Sequence, residues 1–295
     1  YPHRICAEGH AGGVGKLSEL MDRSFDERRA SGDGPGGFDG LELDVHPFRP
    51  AAAVTRDLYI AHDEAAAEVP PQRYAGSSLR GLLTHFRDKG YAAQGKRLFV
   101  ELKTQRTCID SKLVTSYDEQ RVGAELVDLL KDFADLAPQL SLISFSARAL
   151  QAAHELASDA KLPLRYYLVV GTTGAFIGSL GCRATSGNIP RFDTNQAVLT
   201  QTWLTGIWFS PKRLPAYAAP LNGLNDRRAR ATPPAPPMKF MFSVYDEEWP
   251  KIVESFVPKE AGLKNLEGVI HDACDDPSKC PTEIVDVAPC KHNSI

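Results

Sequence analysis

Nowhere in the 295 residues is there an unbroken apolar run long enough to span a bilayer as a helix, so no transmembrane segment is expected. Lysines and arginines are never strung into a long basic stretch, and the formal charge is −3. The chain therefore lacks the electrostatic footprint of a protein that binds a nucleic-acid backbone or an anionic membrane, and any polyanionic partner must be recognised locally. Also absent are internal repeats, a domain-scale break in composition, and a Cys-x-x-Cys pair. The start at Tyr1-Pro2-His3 shows neither methionine nor the apolar core of a signal peptide, and reads as processed or trimmed.

What is present suits a folded enzyme. Hydrophobic residues make up 43% of the chain, enough for one large core, and the 23 glycines and 21 prolines are unexceptional. The reading is a single domain over residues 1–295, with an irregular tail at 273–295. Of the six cysteines (Cys6, Cys108, Cys182, Cys274, Cys280 and Cys290), three crowd that tail, where little apolar core can form. A disulfide there would supply order that packing cannot, which points to a secreted or extracytoplasmic protein. The alternatives are free thiols, or a zinc cluster of Cys274, Cys280, Cys290 and His292 with unusual spacing.

Eight short runs read as core strands: Arg4–His10, Gly40–His46, Arg97–Lys103, Leu140–Ser146, Leu164–Val170, Gly206–Ser210, Lys239–Tyr245 and Gly268–Asp272. Amphipathic stretches lie between them, at Gly123–Ala134, Ala147–Ser158 and Glu247–Phe256. Eight alternations in a chain of this length predict an α/β fold, a single (β/α)₈ barrel, ahead of an open doubly wound sheet. Two segments without periodicity, Gly171–Gln201 and the proline-rich Pro211–Pro237, follow predicted strands. In a barrel they are expected as long loops on the face where the C-terminal strand ends open, and as candidate substrate walls.

The chemistry starts at Gly40-Leu41-Glu42-Leu43-Asp44-Val45. In a strand Glu42 and Asp44 share one face while Leu41, Leu43 and Val45 share the other. Two carboxylates in one space require a cation or a shared proton, unless the strand is simply a solvated edge. Val100-Glu101-Leu102-Lys103 repeats the alternation, adding a third carboxylate and a lysine. Three inward carboxylates form a ligand set for one hard divalent cation, Mg²⁺ or Ca²⁺, and Lys103 can contact an anionic oxygen held by the same ion.

Two histidines complete the group. His10 closes Glu8-Gly9-His10 at the end of the first strand, and His62 closes the short apolar strand from Leu58, beside Asp63. Such a set is sufficient to cleave a phosphodiester, with one histidine activating the nucleophile and the other protonating the leaving oxygen. His46 shares the parity of Glu42 and is expected to face solvent or to sit behind the ligands. The glycines at 12–15 before Lys16 resemble a phosphate loop, but His10 and Leu17 occupy positions that such a loop gives to Gly and Ser or Thr. Trp203, Trp208, Tyr245 and Trp249 are candidates for a head-group or acyl pocket, although most aromatic residues in a chain this size pack in the core.

The ordered set Glu8-Gly9-His10, Glu42-Leu43-Asp44-Val45, His62-Asp63, Glu101-Leu102-Lys103, Ser144-Phe145, Ser243-Val244-Tyr245-Asp246 and Gly268-Val269-Ile270-His271-Asp272 resembles the glycerophosphodiester phosphodiesterase family over most of the chain. The resemblance implies a TIM barrel with His10 and His62 as the acid/base pair. It further implies Glu42, Asp44 and Glu101 as metal ligands and Lys103 as a phosphate contact, acting on a glycerophosphodiester or lysophospholipid-like substrate. The departures are Ala11 in place of a phosphate-touching arginine, His271 in place of a threonine, and no Glu-Asn-Thr segment between Gly15 and Phe25. The chain is also similar to the sphingomyelinase D type of phospholipase D, secreted and disulfide-bearing, in which a substrate hydroxyl attacks to give a cyclic phosphate. That type uses Asp where Glu101 stands. The other expected partners are few: a small phosphodiester, no nucleic acid, and at most a transient membrane-surface contact. Alternatives of other classes are a glycosidase and a non-catalytic ligand-binding barrel.

Overall fold

In the computed structural model, residues 3–7, 16–25, 38–47, 57–60, 78–102, 106–109, 112–115, 119–144, 146–170, 197–209, 214–244 and 266–272 are described. All eight expected strands are among them: β1 (His3–Ala7), β2 (Gly40–Pro47), β4 (Arg97–Leu102), β7 (Leu140–Ser144), β8 (Arg165–Val170), β9 (Gly206–Phe209), β10 (Lys239–Val244) and β11 (Leu266–Asp272). Each pairs in parallel with its neighbours in the order β1-β2-β4-β7-β8-β9-β10-β11, and β11 pairs back onto β1. The ring is closed. Every strand edge is satisfied by the next strand, which is how a barrel removes the edge problem.

Alternation along each strand sorts its residues between two cores. Leu41, Leu43 and Val45 of β2, Leu98, Val100 and Leu102 of β4, and Leu140 and Leu142 of β7 belong to a large buried cluster. The same cluster holds Leu17, Met21 and Phe25 of α1 (Lys16–Phe25), Leu79, Leu82, Leu83 and Phe86 of α2 (Leu79–Asp88), and Val122, Leu126, Leu129 and Leu130 of α3 (Glu119–Leu130). It also takes in Ala149, Leu150, Ala153 and Ala157 of α4 (Ala147–Asp159). This is the layer between barrel and helices. A second buried cluster fills the barrel: Phe99, Ile143, Tyr167, Val169, Trp208 and Met241.

The registers place these interior residues in levels. In an eight-stranded barrel of shear eight, alternate strands contribute to one level. Phe99 is opposite Ser141, which is opposite Arg165. Stepping one residue per strand therefore puts Phe99, Tyr167 and Met241 at one height, Glu42, Ile143 and Trp208 at the next, and Glu101 and Val169 above them. Gly40 and Gly206 lie beneath the lowest of these levels, where the aromatic rings need room. A Cβ on Gly40 would sit 2.8 Å from Phe99 Cε2, and one on Gly206 would sit 2.6 Å from Tyr167 Cε1.

Several boundaries differ from the sequence expectation. β7 ends at Ser144, not Ser146, because Ser146 caps α4 by accepting a hydrogen bond from the Ala149 N–H at 3.2 Å. The helix expected at Gly123–Ala134 runs over Glu119–Leu130 and continues as a tighter 3₁₀ stretch over Lys131–Gln139, with non-helical backbone at Phe133. The buried Phe133 ring lies beneath Arg87 and Arg80, whose guanidinium carbons are 4.9 and 5.7 Å from its centroid. The segment from Leu58 forms β3 (Leu58–Ile60), antiparallel to β2 and outside the ring. A hairpin of β5 (Arg106–Ile109) and β6 (Lys112–Thr115), which the hydrophobic pattern does not signal, follows β4. The tail at 273–295, residues 171–196 and the helix expected at Glu247–Phe256 lie outside the described residues.

The largest correction concerns Pro211–Pro237. It is not a loop at the mouth: residues Leu214–Arg230 form α5, and the proline run after it leads into the start of β10, at the opposite end of the barrel. Arg228 organises that end. It is fully buried and donates from Nε to Pro236 O (2.8 Å), from Nη1 to Leu199 O and Gln201 O (both 2.8 Å), and from Nη2 to Leu204 O (2.9 Å). Prolines cannot supply N–H groups to a ladder, so the irregular carbonyls around them need a donor from elsewhere, and one planar guanidinium serves four.

Trp203, expected as a pocket candidate, is also outside the barrel. Its ring stacks on His154 (5.1 Å between centroids, 15° between planes) and meets Tyr166 edge-on. Burial holds the His154 imidazole below its ordinary value of 6.5, with Glu155 opposing weakly. A histidine depressed in the folded state binds its proton more readily when unfolded. Stability is therefore complete above the ordinary histidine value and falls as the pH drops below it. Melting temperature measured across pH 4.5–8 should decline on the acid side with a histidine-like midpoint, and His154→Gln should flatten that part of the curve.

Candidate metal centre in the barrel mouth

Glu42, Asp44 and Glu101 come together because two neighbouring parallel strands carry the same alternation. The register sets Asp44 directly opposite Glu101, and Glu42 opposite Phe99 one step deeper. All three side chains project into the barrel near its C-terminal end, and they are 4%, 3% and 3% exposed. One carboxylate oxygen from each lies within 4.8 Å of the other two. Among the described residues this is the one group of three or more acidic, histidine or cysteine side chains arranged so that an ion could be held. Glu42 Oε1, Asp44 Oδ1 and Glu101 Oε1 are buried and accept no hydrogen bond, while each residue has other polar interactions.

Three carboxylates shielded from water cannot all carry charge cheaply without positive charge beside them. Among the described residues the donor set consists only of oxygen, and such a set fits Mg²⁺ or Ca²⁺ better than zinc or copper. The residues present thus suit a hard divalent cation.

The backbone around the group is firmly fixed. Ala7, the last residue of β1, pairs with Glu42 on one side and with Asp272 of β11 on the other. Ile60, the last residue of β3, pairs with Val45, the neighbour of Asp44. Ser144, part of the Ser-Phe motif, donates from Oγ to Leu102 O at 3.0 Å and accepts from the Ser146 N–H at 3.0 Å. It thereby binds the end of β7 to the end of β4, directly after Glu101.

The predicted acid/base and phosphate residues are not among the described residues. His10 follows β1 by three residues, His62 follows β3 by two, and Lys103 follows Leu102; all three lie outside the described residues. His46 pairs through its backbone with Tyr59. Sequence reasoning gave Trp208 only as one aromatic among four, whereas it stands inside the barrel at the level of Glu42.

A closed parallel eight-stranded barrel with a buried oxygen-donor group at its C-terminal mouth is the class that fold and site define. No family model and no curated protein sequence matches the chain. Among solved structures, the chain is similar to a protein from Silicibacter pomeroyi proposed to be a glycerophosphoryl diester phosphodiesterase, at 14% identity and a TM-score of 0.54. The match covers 92% of this chain and 90% of that one. A chitinase from Ipomoea carnea matches with a TM-score of 0.43 and 11% identity, over 91% of this chain and 93% of that one. The first likeness supports the barrel fold.

Proposed function

We propose that the protein is a metal-dependent phosphodiesterase acting on a small phosphodiester of the glycerophosphodiester or lysophospholipid type. The observation that carries this reading is the convergence of Glu42, Asp44 and Glu101 on one point at the mouth of a barrel. The structural similarity to the Silicibacter protein agrees with it. A divalent cation bound there would supply positive charge to a phosphoryl oxygen and lower the cost of charge building up on phosphorus.

The chain's own residues provide the rest. Glu42, Asp44 and Glu101 would hold the cation, and Lys103, which shares the sequence parity of Glu101, would bind a non-bridging phosphoryl oxygen by a charge-assisted hydrogen bond. Of His10 and His62, one takes a proton from the attacking water and the other gives one to the leaving ester oxygen. The glycosidase alternative needs two acids and no cation, whereas three buried carboxylates gathered within 4.8 Å of one another call for positive charge among them.

The direct test is hydrolysis of glycerophosphodiesters and lysophospholipids with Mg²⁺ or Ca²⁺. Turnover should vanish in EDTA and return when the ion is restored. Undiminished turnover in EDTA would overturn the proposal, and a cyclic phosphate as sole product would move the activity to the transfer type.

A further inference from the structure

The stem end of the barrel, where the strands begin, is basic inside. Directly beneath Phe99, Tyr167 and Met241 on their own strands stand Arg97, Arg165 and Lys239, all half-buried. Parity places the three on the interior face, since Leu98, Tyr166 and Phe240 belong to the outer core. The registers set Arg97 opposite Gly40, Arg165 opposite Ser141 and Lys239 opposite Gly206, so the three cations share one level as the aromatic residues above them do. His3 of β1 takes the fourth place by register. Between the basic and aromatic levels come Gly40, Ser141, Gly206 and Gly268. Bulky branched residues dominate the interior levels of eight-stranded barrels, so cations under glycines and a serine are not what packing alone requires. The acidic residues at these strand starts, Asp39 and Glu267, alternate with Gly40 and Gly268 and have the opposite parity.

Ser141 points to a ligand at this end. It is 1% exposed, and its Oγ is buried without a hydrogen bond, whereas buried polar groups are nearly always hydrogen-bonded. Arg165 Nη1 is also buried and donates no hydrogen bond, although Arg97, Arg165 and Lys239 each have other polar interactions. Phe99, Tyr167 and Met241, all 0% exposed, separate this end from the carboxylates at the mouth.

We infer that the stem end is a second binding site, which takes a small oxyanion of the phosphate type on Arg97, Arg165 and Lys239, with the Ser141 hydroxyl donating from above. Guanidinium groups match such oxygens in pairs, and a lysine adds a compact point charge. The rings of Phe99 and Tyr167, which leave no room for a Cβ on Gly40 or Gly206, roof the site and keep the ligand shallow. The site is independent of the phosphodiesterase reading.

Isothermal titration calorimetry of the full chain with sodium phosphate, in EDTA and at constant ionic strength, tests this. Saturable binding at millimolar phosphate or below is expected, weakened about tenfold or more by Arg165→Gln and by Lys239→Gln, and several-fold by Ser141→Ala. Circular dichroism identifies the variants that are folded, and the small change in Ser141→Ala keeps the test open if an arginine variant is not. A parallel titration with glycerol 3-phosphate identifies the source: matching affinity assigns the site to the phosphate group of a larger molecule, and binding of phosphate alone assigns it to the free ion. Absence of saturable phosphate binding in the wild type, or binding undiminished in Lys239→Gln and Ser141→Ala, overturns the inference and leaves the hydrolase proposal untouched.

Discussion

Glu101→Gln should cut diester hydrolysis by at least about 10³-fold while leaving the fold intact, because it removes one charged ligand from the cation and changes no shape. Asp44 and Glu101 are direct partners in the register, so their oxygens could reach one ion from adjacent strands, and Gln at 101 would offer a weaker neutral donor. A second readout separates binding from catalysis. A ligand that binds the folded state alone stabilises it by about 2.7 kcal/mol at a hundredfold excess over Kd. Mg²⁺ or Ca²⁺ should therefore raise the melting temperature of the wild type and leave that of the variant unmoved. Differential scanning fluorimetry with and without EDTA measures this without requiring any substrate.

Arg228→Met should be the most damaging single change far from the mouth, with an expected loss of about 3–5 kcal/mol in urea unfolding. The methionine keeps much of the arginine's length and buries well, but it leaves Pro236 O, Leu199 O, Gln201 O and Leu204 O without the donors that now reach them. Each buried carbonyl stripped of its partner costs about 1–3 kcal/mol, partly recovered where the loop moves to admit water. Arg228→Lys should recover only a small part, since an ammonium cannot reproduce the planar fork that serves both sides at once. Activity of the fraction that remains folded should be close to wild type, because Arg228 lies at the opposite end of the barrel from the carboxylates.

The strands were legible in the sequence for a simple reason. Parallel strands buried on both faces carry dense Leu, Val, Ile and Phe, and where an interior position must be polar the period of two exposes it, as in Leu41-Glu42-Leu43-Asp44-Val45. The metal-ligand candidates were legible on the same ground, since alternation fixes which residues share a face and two similar strands imply a shared space. Level, however, is a property of the closed ring. Nothing in the local pattern says that Trp208 stands opposite Glu42 while Trp203 stacks outside on His154. α5 was hidden because Pro215, Pro220 and Gly223 blur its period, and its anchoring depends on carbonyls from 24 to 29 residues earlier in the chain, which no local window contains. The β5–β6 hairpin was missed because Arg106-Thr107-Cys108-Ile109 and Lys112-Leu113-Val114-Thr115 are too short and too polar to stand out from a loop.

The proposed chemistry requires that Glu42, Asp44 and Glu101 hold an ion. Crystals grown or soaked with Mn²⁺, a scatterer that takes the same oxygen ligands, give the answer in one anomalous difference map. A single peak within about 2.0–2.6 Å of an oxygen from each of the three carboxylates is the predicted result. A map without a peak there, at a Mn²⁺ concentration that supports hydrolysis, would contradict it.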